Sequence, residues 1–182
     1  MDEIRSKLIG IIPAAGHASR ISPIPCSKEI FPIGFQNREG EAEIRVAASA
    51  LLESFHEATV DQIYMIIRKG KWDIPQYLGT GISTECSLAY LVTDPTKGTH
   101  YTIDLAYRFV KDHIVLLGFP VILFKPRNAF TLLLEKQQKT GADIVLGLFE
   151  ASNPHGADML EIDPEGQLIK IDIKPEETYL KY

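Results

Sequence analysis

Two cations and a turn without bulk form the part of this chain best suited to chemistry. Leu8-Ile9-Gly10-Ile11-Ile12 is an unbroken apolar run, the pattern of a strand buried on both faces. The run ends at Pro13, and Ala14, Ala15 and Gly16 follow. Small residues let a backbone approach a ligand closely and aim its N–H groups at phosphate oxygens. Ser19 and Arg20 come next, and Lys28 lies a few residues on. A guanidinium offers a planar fork for two phosphate oxygens, and an ammonium adds a point charge. Together these residues make a site for a nucleoside triphosphate. Neither common phosphate fingerprint fits. The glycines of G-x-G-x-x-G are missing after Gly16, and Lys28 follows Pro25-Cys26-Ser27 rather than a P-loop glycine.

Such a turn needs a scaffold, and the rest of the chain reads as one. Apolar runs at Gln62–Ile67, Leu88–Val92, His113–Leu117 and Asp143–Phe149 read as strands. Between them, residues 41–55 carry Ile44, Ala47, Ala48, Leu51, Leu52 and Phe55 at helical spacing. A short helix or turn is expected near Trp72–Leu78, and helices over Thr102–Val110 and Ala129–Gln138, the last ended by Gly141. This alternation predicts an α/β fold: three layers, α/β/α, around a mainly parallel sheet. Two short segments flank Asp163-Pro164-Glu165-Gly166, a strong turn signal, and predict a C-terminal β-hairpin. Thr178–Tyr182 reads as the start of another strand.

Composition narrows the partners. With 182 residues, 45% of them hydrophobic, the chain is expected to form a single domain over 1–182. A net charge of −5 gives no basic footprint for nucleic acid. No apolar run is long enough for a membrane span and Met1–Arg5 has no signal-peptide character, so a cytoplasmic location is expected. Cys26 and Cys86 stand far apart, with no Cys/His cluster to suggest zinc or a redox pair. His17 and His100 are expected to be exposed loop histidines, Trp72 and Tyr77 to be core, and Glu41, Glu43 and Glu53 to line a solvated helix face.

The segment Leu8–Gly34 resembles the signature of the sugar-1-phosphate nucleotidyltransferases, P-A-A-G-x-G-[TS]-R-[LM]-x-P followed by a lysine and a Leu-Pro-[IV] ending. Pro13-Ala14-Ala15-Gly16, Ser19-Arg20-Ile21, Pro23, Lys28 and Pro32-Ile33 carry the match. Ala18 replaces the second glycine, at a cost in backbone freedom, and Ser27 mildly replaces a proline. The likeness continues through Lys71–Leu78, Leu88-Ala89-Tyr90, Gly98-Thr99, Leu117-Gly118-Phe119-Pro120, Gly141–Gly147 and Ile173-Lys174-Pro175. Within the family it is to glucose-1-phosphate thymidylyltransferase-like proteins. It implies a Rossmann-like nucleotide-diphosphosugar transferase fold. It also implies transfer of a nucleotidyl group from dTTP or UTP to glucose 1-phosphate, with release of pyrophosphate.

The same resemblance assigns roles. Arg20 would clamp the β- and γ-phosphates, and Lys28 would bridge the α-phosphate and the incoming sugar phosphate. Ala14, Ala15, Gly16 and Ser19 would contact the triphosphate, Gly98 and Thr99 the base, and Lys174 the sugar phosphate. Magnesium is expected from the family, but its protein ligands are not identifiable. Val121 stands where an aspartate follows Gly-Phe-Pro, and a second aspartate belongs to a part of the family lying beyond the equivalent of Tyr182. Valine provides no oxygen donor. Two activities therefore compete: a nucleotidyltransferase, impaired or reliant on self-association or a partner chain, and a catalytically silent nucleotide or sugar-phosphate binding paralogue with a regulatory role.

Overall fold

The computed structural model describes residues 8–19, 21–38 (at 38 the backbone alone), 40–81, 86–151 and 156–182. The chain divides into two compact units, Met1–Leu134 and Glu135–Tyr182.

The first unit is built on a four-stranded sheet. Strand β1 (Leu8–Ala14) is followed by an antiparallel hairpin, β2 (Pro32–Arg38) and β3 (Glu41–Val46). Helix α1 (Ala47–Glu57), strand β4 (Gln62–Arg68), helix α2 (Asp73–Leu78) and strand β5 (Ser87–Thr93) come next. Two short helices, α3 (Thr99–Asp104) and α4 (Tyr107–Val110), lead to strand β6 (Ile114–Leu117), and α5 (Ala129–Thr140) begins in this unit. The sheet order is β5-β4-β1-β6, with every pairing parallel.

Alternation along the strands divides the core into two layers. Leu8, Ile12 and Ala14 of β1 and Ile63, Met65 and Ile67 of β4 face α1, α2 and the start of α5, meeting Leu51, Leu52, Phe55, Ile74 and Phe130. Ile9, Ile11 and Ile66 face the other way, against Ala106 and Val110. Covered on both sides along most of their length, β1 and β4 are largely apolar, which is why they read as strands from sequence. The three-layer α/β/α arrangement is the expected one.

Four expectations fail locally. Residues 41–46 are strand, not the first turn of a helix. Their apolar spacing fits a helical period, but pairing with β2 satisfies their backbone groups and leaves helix formation to begin at Ala47. Glu41 and Glu43 therefore sit on a strand, Glu43 accepting a bond from Gln36 at 3.0 Å, and only Glu53 lies on a helix, paired with Arg45 at 2.7 Å. Trp72 and Tyr77 are exposed by 54% and 49%, because α2 buries Ile74 and Leu78 and turns the aromatics outward.

In the second unit, β7 (Met159–Ile162) and β8 (Leu168–Asp172) form the expected hairpin. Gly166 takes φ 83°, a left-handed value that suits glycine, and its N–H donates to Asp163 O at 3.0 Å. Residues 143–149 are the third failed expectation. They form no strand, and Ile144 and Phe149 are exposed by 76% and 71%, since no neighbouring strand among the described residues takes up their backbone. The 178–182 segment is likewise not a strand, though the carbonyls of Lys181 and Tyr182 accept bonds from the N–H groups of Ala151 and Leu160. No described helix is long and apolar enough to cross a membrane.

Candidate phosphate-binding site at the end of strand β1

The sheet order places a crevice before any side chain is considered. From β1 the chain moves to β4 and then β5 on one side, and later returns across the sheet to β6 on the other. The carboxyl ends of β1 and β6 therefore release loops at the point where strand order reverses, the usual ligand site of an open parallel sheet. The loop after β1 holds Ala15, Gly16 and Ser19. The loop after β6 starts at Gly118, whose N–H donates to Ile11 O at 3.1 Å and extends the β1–β6 pairing.

Ala14 ends β1, fully buried, and Ala15 is buried beside it, whereas Gly16, His17 and Ser19 are exposed. Ala18 has φ 56°, and its carbonyl accepts from Ile21 N–H at 3.1 Å. A non-glycine residue in that region is strained. The Ala18 departure thus falls where glycine would be free. Arg20 itself lies outside the described residues.

Lys28 returns to the turn. Its Nζ stands 3.9 Å from where a Cβ on Gly16 would be, so the ammonium overhangs the exposed glycine. Lys28 opens a 3₁₀ turn, Lys28–Ile30, held at both sides. On one side Ser27 donates its N–H to Asp73 Oδ2 at 2.6 Å and its hydroxyl to Asp73 Oδ1 at 2.8 Å. On the other, Lys71 Nζ donates to Glu29 Oε2 and to Ala14 O, both at 2.7 Å. Glu29 and Lys71 are 0% and 5% exposed. Ser27 is more than a mild change: a proline there has no N–H to give Asp73.

The electrostatics follow from these contacts. Burial pushes the Lys71 pKa below the ordinary lysine value, Glu29 opposes that shift, and the nearby cations Lys28 and Arg68 add to it. For Asp73, burial favours the neutral acid, but the two bonds from Ser27, together with the backbone N–H groups of Asp73 and Ile74, outweigh it and hold its carboxyl below the usual range. Burial, with Asp73 and Glu29 nearby, raises the Cys26 thiol and keeps it from being a ready thiolate. The charged groups gathered here are three cations, Lys28, Arg68 and Lys71, and two carboxylates, Glu29 and Asp73.

Comparison with known proteins agrees with this fold. Over 96% of its length the chain superposes on 68% of a Bacillus anthracis protein, assigned as a glucose-1-phosphate thymidylyltransferase and crystallised with sucrose. The TM-score is 0.78 at 21% identity. The fold is that of a nucleotidyltransferase. In sequence the chain is 22% identical over 173 residues to the low-salt glycan biosynthesis nucleotidyltransferase Agl11 of Haloferax volcanii, covering 92% of this chain. It spans 45% of that relative's length. No protein-family profile matches. The resemblance to sugar-1-phosphate nucleotidyltransferases therefore rests on sequence and on fold.

Within the nucleotidyltransferase fold the remaining expected residues are placed as follows. Gly98 and Thr99 begin α3, which packs against β1. The Gly98 carbonyl accepts from Thr102 N–H and from the hydroxyls of Thr96 and Thr102, all at 3.3 Å. They leave the sheet at the same edge as the β1 loop, because β5 runs parallel to β1. Lys174 belongs to the second unit, two residues beyond β8, with φ 43°. His17 and His100 are exposed, the latter ring against ring with Tyr101 at 4.2 Å.

Among the described residues, those at the place the family resemblance implies do not fit magnesium. Val121 sits in the turn after β6, closed by Ile122 N–H donating to Phe119 O at 3.1 Å, and provides no oxygen. Among the described residues no group of three or more His, Cys, Asp or Glu is disposed to hold a metal ion. Glu29, Lys71 and Asp73 were given no role from the sequence, although Lys71 and Asp73 lay inside a matched segment, and Ser27 figured there only as a mild replacement of proline. The available signal was that Glu29 adjoins Lys28.

Proposed function

We propose that this chain is a nucleotidyltransferase domain that binds a nucleoside triphosphate, dTTP or UTP, and transfers its nucleotidyl group to glucose 1-phosphate. Supporting this is the ammonium of Lys28 standing over Gly16 at the carboxyl end of β1, where strand order reverses. An oxygen of the sugar phosphate forms a bond to the α-phosphorus in line with the departing oxygen. The bond between the α-phosphorus and the bridging oxygen breaks, and pyrophosphate leaves with the electron pair. No covalent intermediate with the protein is needed. The barrier lies largely in bringing two anions together and holding them in line. Lys28 between the α-phosphate and the sugar phosphate lowers their repulsion, Arg20 grips the outgoing phosphates, and the N–H groups of the Ala15–Gly16 turn approach the chain of phosphates. Gly98 and Thr99 receive the base and Lys174 the sugar phosphate.

A second reading is favoured by Val121: a catalytically silent domain that binds the triphosphate or sugar phosphate and regulates a partner. One assay separates the two. Purified protein with dTTP or UTP, glucose 1-phosphate and magnesium releases pyrophosphate if the first reading holds, and Lys28→Met removes the release. Triphosphate binding without turnover establishes the silent domain, and turnover appearing in Val121→Asp identifies the missing oxygen ligand as its cause. Absence of binding to any triphosphate and to glucose 1-phosphate defeats both.

A further inference from the structure

Glu29 and Lys71 are buried, charged, and outside the roles just described. Their net effect on stability does not explain them, since a buried ion pair is often matched or exceeded by apolar residues of similar size. Their geometry suggests another purpose. Lys71 Nζ lies 2.7 Å from Ala14 O, the last carbonyl of β1, and 2.7 Å from Glu29 Oε2. One ammonium therefore joins the residue before the phosphate loop to the residue after Lys28. Ser27 is tied in turn to Asp73, two residues beyond Lys71. Lys28 lies between these two anchors, with its own ammonium over Gly16. Glu29 is also the carboxylate adjacent to Lys28 in the chain. Engaged by Lys71, it is not the partner of Lys28, and among the described residues Lys28 makes no ion pair.

We propose that the Glu29–Lys71 pair is the positioning device of the site, fixing the Lys28 turn to the end of β1 and keeping the Lys28 ammonium available to phosphate. This rests on the nucleotide-binding reading, and it makes Lys71 a positioning residue that acts through Lys28. It predicts that the contribution of Lys28 to ligand affinity depends on the pair.

The test is a thermodynamic cycle on the full chain, with dTTP and UTP titrated at low salt. Lys28→Met is made in the native background and in Glu29→Gln/Lys71→Met, which removes both buried charges together. In the native background Lys28→Met weakens triphosphate binding by about tenfold or more, the scale of a charge-assisted hydrogen bond. In the neutralised background, at an unchanged melting temperature, it changes binding by less than about twofold on the same scale. The same fold-loss in both backgrounds overturns the positioning role while leaving nucleotide binding intact. A native protein that binds neither triphosphate overturns the nucleotide reading itself. Should the double variant fail to fold, Lys71→Arg provides the second measurement. It keeps the charge but, with a longer and wider head group, displaces the turn and weakens binding severalfold at an unaltered melting temperature. Native affinity in that variant overturns the proposal.

Discussion

The loops that follow β1 and β6 leave the sheet side by side and are built from opposite materials. The β1 loop closes on a polar frame: Ser27 on Asp73, and Glu29 and Ala14 on Lys71, with Lys28 between them. The β6 loop, Gly118-Phe119-Pro120-Val121, has an apolar frame. Gly118 lies so close to Leu51 that a Cβ would come within 2.4 Å of Leu51 Cδ1, and Val121 presents a hydrocarbon side chain. The difference teaches that the half of the site proposed to hold phosphate is built from different contacts than the half expected to supply carboxylates. Cations and turns are in place on one side, whatever happens on the other. On the proposed reading, binding and turnover are therefore separable in this chain.

Four substitutions probe that contrast, each read as a change in unfolding free energy by denaturant titration. Lys71→Met alone strands the Glu29 carboxylate in the core, and a loss of about 3–5 kcal/mol is expected. A loss below about 1 kcal/mol would mean that the polar frame is not held by the buried pair. On the apolar side, Gly118→Ala drives a methyl into Leu51, itself fully buried, and should cost about 1–3 kcal/mol. Asp73→Ala removes both bonds from Ser27, with an expected loss of about 1–2 kcal/mol at neutral pH. That contribution has a defined pH sign. The folded-state pKa of Asp73 is depressed, so its stabilisation is complete above the ordinary aspartate pKa of about 3.9 and fades as pH falls through the lower folded value. The difference between native protein and Asp73→Ala should shrink over that acid window, and a constant difference would contradict the assignment. The smallest effect has the opposite direction. Ala18→Gly relieves a left-handed alanine, and a gain of about 0.5–1 kcal/mol is expected after the entropy cost of glycine.

The runs of β1 and β4 were legible because strands covered on both faces leave few polar positions to obscure them, whereas β5 and β6, at the edges of the sheet with Val92, Val115 and Leu117 exposed, were legible from their short apolar runs alone. The C-terminal hairpin was legible from Asp163–Gly166, whose turn bonds form as the residues suggest. The β2–β3 hairpin was not. Ile44 and Ala47 fall at helical spacing, and only the partner strand Pro32–Arg38 decides between helix and strand at residues 41–46. Residues 143–149 failed for a related reason, since an apolar run becomes a strand only beside another edge. In the site, Gly16 and Lys28 were readable because turn and cation were close in sequence. Glu29 and Lys71 were not, because charged residues are expected on the surface and their pairing spans 42 positions. Ser27 was undervalued for the same reason: its partner Asp73 is on another element.

The central claim is that Lys28, held over the Gly16 turn, grips a polyphosphate. Calorimetric titration of dTTP and UTP into the native chain and into Lys28→Met, at two salt concentrations, tests it most directly. The account predicts saturable binding to the native protein that weakens with salt, and a loss of about tenfold or more in Lys28→Met with its melting temperature unchanged. Equal affinity in the two proteins, or no heat of binding from the native chain, would contradict it.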